Sequence, residues 1–290
     1  MRRAILSIFM VLASCASSRA AVESVPFKLQ RGYLIVAECS VANQRGLTAI
    51  IDTGTTETIL DTRVVKSLSL ATWADSVTAL TTDTAVRGVY IPDLRLGPLQ
   101  IGKLEGIAID LSAMSRELGV RADVVIGMDV LHRSNFVIDY EARTMRFGLA
   151  PAMAYGAVLA PGTRFALIGS NVLGRRVRLQ VDTGFNGFLL YGKRVEGLGR
   201  SLEARARDTN EAGTGARVAG VAQGSSVPNV SSRQVQIGNW NGSHVTVSVI
   251  DSAPRDFEGF VDGFDGLFGP RVLGSRRVAF DFDKGMMYWD

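Results

Sequence analysis

Short runs of apolar residues follow one another from about residue 31 onward, separated by turns rich in Gly, Asn, Asp and Pro. Runs of this kind between turn residues are typical of β-strands. They predict strands at 33–41, 47–51, 89–96, 99–101 and 107–109, with a turn at 43–46. Apolar residues at helical spacing are rare, and they predict short helices at 61–68 and 111–118. The pattern therefore favours an all-β fold.

Two parts of the chain repeat the same order of apolar residues, Gly and Asp. An apolar pair before Gly127 matches one before Gly269, and Asp139 after the next apolar run matches Asp281. Both matches lie 142 positions apart. Because repetition at a constant offset is the mark of an internal repeat, we expect a tandem duplication.

A second repeated motif is Asp-Thr-Gly, at Asp52-Thr53-Gly54-Thr55 and Asp182-Thr183-Gly184-Phe185, 130 positions apart. Each copy stands between apolar runs, at the predicted end of a strand. The smaller offset places extra residues in the second copy, and we assign them to the Gly- and Ser-rich stretch 210–226.

An isolated Asp-Thr-Gly is usually a turn after a strand, but two copies at matched positions favour two facing carboxylates. Two carboxyl groups in contact share one proton, because like charges so close together cannot both form cheaply. Such a pair can take a proton from water and give one to a carbonyl oxygen. Gly54 and Gly184 would let the main chain pass close to the carboxylates. Asp52 and Asp182 are therefore the predicted catalytic residues.

The residue after each glycine makes the predicted pair unequal. The hydroxyl of Thr55 could donate to the carboxylate of Asp52 and favour its charged form, whereas Phe185 cannot do this for Asp182. We therefore expect Asp52 to be the more readily ionised carboxyl group.

Composition and charge exclude several other classes of protein. The chain has 290 residues, 47% of them hydrophobic, enough for one or two globular domains with real cores. A net charge of +4, without a long basic run, gives no support for nucleic-acid binding. His132 and His244 are the sole histidines and lack ligand-spaced partners, so we predict no metal and no cofactor. Their scarcity, and the absence of a Gly-x-Ser-x-Gly motif, argue against a Ser-His-Asp hydrolase.

Residues 1–20 are typical of an export signal, with Arg2 and Arg3 before a short apolar stretch. Two forms of processing are open. Cys15 follows the apolar stretch as in a bacterial lipobox and would be lipidated, which we favour; alternatively, ordinary cleavage would follow residues 18–20. Either would leave Cys39 as a free thiol. The protein is expected in the periplasm or tethered to a bacterial membrane through that lipid, with 21–30 as a linker.

The repeated motifs resemble those of the aspartic protease superfamily, specifically retropepsin-like domains fused in tandem as in the two-lobed pepsin-like enzymes. The resemblance implies a bilobal acid-protease fold of a bacterial type, with β-barrel lobes at 31–150 and 163–290 and a linker at 151–162. It implies that Thr53 and Thr183 hydrogen-bond across the lobe interface. Phe185 departs from the family, where pepsin-like enzymes carry Ser or Thr and retroviral ones Ala.

These features predict an aspartic endopeptidase that acts as a monomer on an extended peptide or protein. Candidate flaps over the cleft are 79–90, which includes Tyr90, and 213–223. The alternative is an inactive module of the same fold that binds peptides or the cell envelope, with Phe185 marking lost catalysis.

Overall fold

The computed structural model describes residues 24–79, 82–192, 195, 229–232, 235–242, 245–250 and 263–290. Most of these residues lie in β-strands, which form a sheet of thirteen strands and a sheet of eight. The α-helices of the described part are only six, seven and four residues long. The prediction of an all-β, two-lobed fold with few short helices is confirmed.

The first lobe is built from ten strands and three short helices. Its strands are β1 (Ser24–Gln30), β2 (Leu34–Val41), β3 (Gln44–Ile51), β4 (Ile59–Asp61), β5 (Thr72–Ala79), β6 (Thr82–Leu96), β7 (Leu99–Ile109), β8 (Val124–Ile126), β9 (Phe136–Asp139) and β10 (Thr144–Phe147). Its helices are α1 (Thr62–Ser67), α2 (Ser112–Leu118) and α3 (Met128–Leu131). The first two helices confirm the predictions at 61–68 and 111–118, and Asp61 caps α1 by accepting from the N–H of Arg63.

The sheet of the first lobe closes on itself. The strands follow the order β2-β3-β8-β4-β7-β6, and β6 returns to pair with β2 through Ser40 and Val41. The buried positions of these strands form a single core, with Ile35, Ile51 and Leu60 fully buried. This ring is a small closed barrel, as predicted for the first lobe.

The second lobe contains β11 (Tyr155–Val158), β12 (Leu167–Val172), β13 (Arg175–Val181), β14 (Phe188–Tyr191), β15 (Asn229–Ser232), β16 (Val235–Ile237), β17 (Trp240–Gly242), β18 (Val245–Ile250), β19 (Gly266–Phe268), β20 (Arg277–Asp281) and β21 (Met286–Trp289). A 3₁₀ helix covers Pro270–Leu273. Eight of these strands form the sheet β15-β18-β14-β19-β13-β12-β16-β17.

Two stretches predicted as linkers are strands. Ser24–Gln30 pairs with β10 and then with β2, so most of the predicted linker 21–30 belongs to the fold. Tyr155–Val158, inside the predicted linker 151–162, pairs with β21. The sequence carried a signal for the first of these strands, because Val25 and Phe27 are apolar residues at alternate positions and both are buried in β1.

The two lobes share a six-stranded layer with the order β11-β21-β20-β9-β10-β1. At its centre β9 and β20 run antiparallel, with Val137 opposite Ala279. These two residues are 142 positions apart, the offset of the sequence repeat, so equivalent positions of the two halves face each other. The rings of Phe136 and Phe280 pack beside them, with centroids 4.7 Å apart.

The same strand arrangement holds the Asp-Thr-Gly loop in each lobe. In the first lobe β8 lies between β3 and β4, parallel to β3; in the second β19 lies between β13 and β14, parallel to β13. Asp123 closes the first arrangement, since its carboxylate accepts from the N–H of Thr48 at 3.1 Å. Asp265 stabilises the second arrangement in the same way, because its carboxylate accepts from the main-chain N–H of Arg178 at 2.8 Å. Within the described part of the chain, no helix has the length and hydrophobicity needed to cross a lipid bilayer.

Candidate active site

Asp52 and Asp182 each begin a tight turn at the end of a buried strand. The main-chain N–H of Asp52, after β3, donates to the carbonyl oxygen of Ile126 at 3.0 Å. The N–H of Asp182, after β13, donates to the carbonyl oxygen of Phe268 at 2.9 Å. Each turn is thus fixed to the apolar strand that runs beside it.

The structure brings the two carboxyl groups into hydrogen-bond contact with each other. Each also accepts from the N–H of the glycine in its own turn, Gly54 to Asp52 and Gly184 to Asp182, both at 2.7 Å. Each carboxyl group lies over the glycine of the opposite turn. A Cβ on Gly54 would be 2.5 Å from Cγ of Asp182, and one on Gly184 would be 2.9 Å from Cγ of Asp52. Only glycine therefore fits at both positions without displacing a carboxyl group.

Thr53 and Thr183 join the two turns by four hydrogen bonds. The N–H of each donates to the hydroxyl oxygen of the other, at 3.0 Å in both directions. The hydroxyl of Thr53 donates to the carbonyl oxygen of Val181 at 2.7 Å, and that of Thr183 donates to Ile51 at 2.9 Å. Both side chains are buried, so the bonds are shielded from water.

Burial makes both carboxyl groups harder to ionise. It is the largest cause of the raised pKa of Asp182, and the negative charge of Asp52 adds to it, holding that pKa well above its usual range. Burial also raises the pKa of Asp52, but hydrogen bonds from Gly54, Asp182 and Gly184 oppose the rise. The pKa of Asp182 is therefore raised further than that of Asp52, and the two groups titrate as one coupled pair.

The expectation that Thr55 donates to the carboxylate of Asp52 is wrong. Its hydroxyl donates instead to the carbonyl oxygen of Glu57, at 3.1 Å, because short hydroxyl side chains in turns readily bond to the main chain two residues on. The side chain of Glu57 forms an ion pair with Arg164 of the other lobe at 3.0 Å. The inequality of the two carboxyl groups thus has other causes than the one predicted.

Phe185 packs away from the carboxyl pair. Its ring lies against an apolar cluster of the second lobe that includes Leu167, Leu189 and Leu267. Its main-chain N–H lowers the pKa of Asp182, against the larger effect of burial. The aromatic side chain is thus accommodated by the core, and the hydrogen bonding of the turn is retained.

Two polar contacts beside the turns were not predicted. The side-chain amide of Gln180 donates to the carbonyl oxygen of Gly54 at 2.9 Å. In the first lobe, Asp129 accepts from both the N–H and the hydroxyl of Thr58, at 2.8 and 2.7 Å. Gln180 is a polar residue within the apolar run before Asp182, and this was a sequence signal for its contact with Gly54. The sequence repeat gave no signal for the contact between Thr58 and Asp129, since the positions that match them in the second half are apolar and basic.

The predicted flaps, the two histidines and Cys15 are the remaining features of the sequence analysis. The hairpin of β5 and β6 covers most of the predicted flap at 79–90, and Tyr90 on β6 is partly exposed. His132 packs against Phe282, with ring centroids 4.4 Å apart. Cys15, His244 and the flap predicted at 213–223 lie outside the described residues.

The similarity of this chain to a known protein family lies in the first lobe. The model of the aspartyl protease family matches residues 37–130, from β2 to α3. The match spans about a third of the chain and includes Asp52 and Gly127. A comparison with curated proteins finds no match. Over its first lobe, the chain is similar to aspartyl proteases.

Proposed function

We propose that this protein is an aspartic endopeptidase in which Asp52 and Asp182 activate a water molecule. One observation carries the proposal: each carboxyl group lies over the glycine of the opposite turn while bonding to the other carboxyl group. This placement depends on two turns from different lobes. A turn with a purely local role would need neither the second carboxyl group nor the second glycine.

The unequal pKa values of the pair support a different role for each group. Asp52, the more readily ionised group, would take a proton from water as the water oxygen bonds to the carbon of the substrate carbonyl. Asp182 would give its proton to the carbonyl oxygen, forming a neutral tetrahedral diol. Collapse of the diol would break the C–N bond, with Asp52 returning its proton to the leaving nitrogen and a diol hydroxyl returning one to Asp182.

The strands around the site support a proposal for the class of substrate. An extended peptide can pair its main chain with strand and hairpin edges, and the β5–β6 hairpin offers such an edge. Closure of this hairpin over the peptide would exclude water from the carboxyl pair. We therefore propose unfolded or extended segments of proteins as substrates, bound by a monomeric enzyme.

Residues 1–20 support export as a further part of the proposal. We favour a mature chain that begins at a lipidated Cys15, which would tether the enzyme to a bacterial membrane. Mass spectrometry of the N-terminal peptide tests this: a diacylglyceryl cysteine is expected, and cleavage after residue 20 would overturn lipidation while keeping export.

The test of activity uses a mixed peptide library from pH 3 to 8, with products identified by mass spectrometry. Asp52→Asn and Asp182→Asn should each abolish cleavage, because either change removes the shared proton or its acceptor. Glu38→Gln, an exposed carboxylate-to-amide change on β2, is the matched control and should cleave normally. Tight binding of peptides without turnover at any pH would overturn the proposal in favour of an inactive binding module.

A further inference from the structure

Gln180 is a buried polar residue between two apolar residues of β13. Its neighbours in β13, Leu179 and Val181, are fully buried, and Gln180 is itself only 3% exposed. Burying an amide costs free energy unless its polar atoms find hydrogen-bond partners. The side chain therefore needs a specific partner, and it finds one in the other lobe.

That partner lies beneath the carboxyl pair. The Nε2 atom of Gln180 donates to the carbonyl oxygen of Gly54 at 2.9 Å. Gly54 is the residue over which the carboxyl group of Asp182 lies. Gln180 lies in β13, and Asp182 begins the turn that follows this strand. One strand of the second lobe and the turn that follows it thus carry both the amide that bonds to Gly54 and the carboxyl group that lies over it.

The counterpart position in the first lobe cannot form such a bond. At the offset of 130 that relates the two turns, the counterpart of Gln180 is Ile50. Ile50 is 2% exposed and packs in an apolar cluster with Leu34 and Val125. A hydrocarbon side chain cannot donate to the carbonyl oxygen of Gly184. The hydrogen bond from Gln180 is therefore a difference between the two turns.

We propose that Gln180 is a positioning residue that holds the Gly54 turn against Asp182 and so sets the spacing of the two carboxyl groups. This inference rests on the proposed function of that pair. Gly54 has no side chain of its own to anchor its peptide group. The amide from the opposite lobe supplies that anchor and ties the position of Gly54 to that of Asp182.

Loss of this anchor should change the titration of the pair. If the turn relaxes, the carboxyl groups separate and their mutual repulsion falls with distance. The two apparent pKa values of the pair then move toward each other. Tyr33 is a further titratable group near both carboxyl groups: burial raises the pKa of its phenol, Arg31 lowers it, and the charges of Asp182 and Asp52 raise it further.

The experiment compares Gln180→Met with Ile50→Met in the full chain. Methionine matches the length of glutamine but has no N–H, and the control places the same side chain at the counterpart position. For Gln180→Met we expect kcat to fall by about 10- to 100-fold with KM changed less than about twofold. The basic limb of its pH–rate profile should move to lower pH. Ile50→Met should keep the wild-type profile.

Two outcomes would overturn the inference. One is an unchanged pH profile with a lower melting temperature alone, which would make Gln180 a residue of the core and nothing more. The other is an equal shift in both variants. If Gln180→Met does not fold, Gln180→Asn, whose amide is one methylene too short to reach Gly54, should give the same shift.

A titration of the carboxyl groups separates this inference from the proposed function. Carboxyl ¹³C chemical shifts of Asp52 and Asp182 can be followed against pH by NMR without turnover. If the wild type cleaves no peptide, the proposed function fails. The positioning role of Gln180 still stands if its variants narrow the gap between the two pKa values, and it fails if the gap is unchanged.

Discussion

The main-chain N–H of Thr53 donates to the hydroxyl of Thr183, and the N–H of Thr183 donates back to the hydroxyl of Thr53, both at 3.0 Å. Each threonine therefore acts as donor and acceptor toward its counterpart in the other lobe. The relationship is symmetric, although the residues around it are not. It makes the two turns a single buried unit.

Removing either hydroxyl should loosen this unit. Thr53→Val and Thr183→Val keep the shape of the side chain but leave a buried N–H and a buried carbonyl oxygen without a partner. We expect each to lower the free energy of unfolding by about 2–4 kcal/mol, measured by urea denaturation. Thr48→Val is the control, since Thr48 meets Asp123 through its main-chain N–H. The double variant should cost less than the sum of the two, because the bonds are shared; strict additivity would contradict a joined unit.

A methyl group on either glycine should displace a carboxyl group. Gly54→Ala and Gly184→Ala place Cβ at 2.5 and 2.9 Å from the opposite Cγ, so we expect activity to fall by about 100-fold or more, and further for Gly54. Gly169→Ala is the matched control, because nothing lies within 4 Å of its Cβ. Peptide cleavage with folding checked by circular dichroism measures the effect. Normal activity of Gly54→Ala would show that the carboxyl groups do not meet over this turn.

The raised pKa of Asp182 predicts how stability depends on pH. Burial and the charge of Asp52 raise this pKa in the folded protein, so folding is favoured while the group is protonated. That stability is present below the ordinary pKa of an aspartate and is lost as the pH rises through the raised value.

Asp182→Asn removes this titration. We expect the variant to be more stable than the wild type at neutral pH, by about 1 kcal/mol or more, and the difference to vanish toward pH 3. Thermal unfolding at a series of pH values measures it, with Glu38→Gln as the control. Parallel stability curves for wild type and Asp182→Asn would contradict a raised pKa.

Thr55→Ala should leave the acidic limb of the pH–rate profile unchanged. Its hydroxyl donates to the carbonyl oxygen of Glu57 and not to the carboxylate of Asp52. Steady-state kinetics from pH 3 to 6 would test this. A limb displaced to higher pH would restore the hydrogen bond to Asp52 that the sequence suggested.

Asp123 and Asp265 should each support the fold around one turn. Replacing Asp123 by alanine leaves the N–H of Thr48 without its acceptor, and we expect a loss of about 1–3 kcal/mol. Asp265→Ala should cost less, because Asp123 is more deeply buried and also pairs with Arg121 at 2.8 Å. Asp93→Ala, at an exposed ion pair with Arg95, should change stability by less than about 1 kcal/mol. Equal losses in all three variants would argue against a supporting role for Asp123 and Asp265.

The internal repeat and the pattern of apolar residues were the features of the sequence from which the fold and the two turns could be predicted. Runs of apolar residues located four of the ten strands described in the first lobe, β2, β3, β6 and β7, and the matched Asp-Thr-Gly motifs located the two turns. The roles of Asp123 and Asp265 could also have been predicted from the sequence. They stand four positions before Gly127 and Gly269 and share the offset of 142.

What could not be predicted depends on contacts between distant parts of the chain. The hydroxyl of Thr55 had two acceptors within reach, and only the conformation of the turn decides between them. The partner of Gln180 lies 126 positions away in the other lobe. The pairing of β1 with both β10 and β2 likewise depends on where those strands lie, although the alternation of Val25 and Phe27 marked it as a strand.

The pairing of β9 with β20 has a consequence for half of this chain taken alone. Because Val137 meets its own counterpart Ala279, a separated first lobe would offer a second copy of itself the same register, Val137 against Val137. Such a homodimer would bring two copies of Asp52 together across a true twofold axis. The fused chain is what permits the two halves to differ, as they do at Gln180 and Ile50.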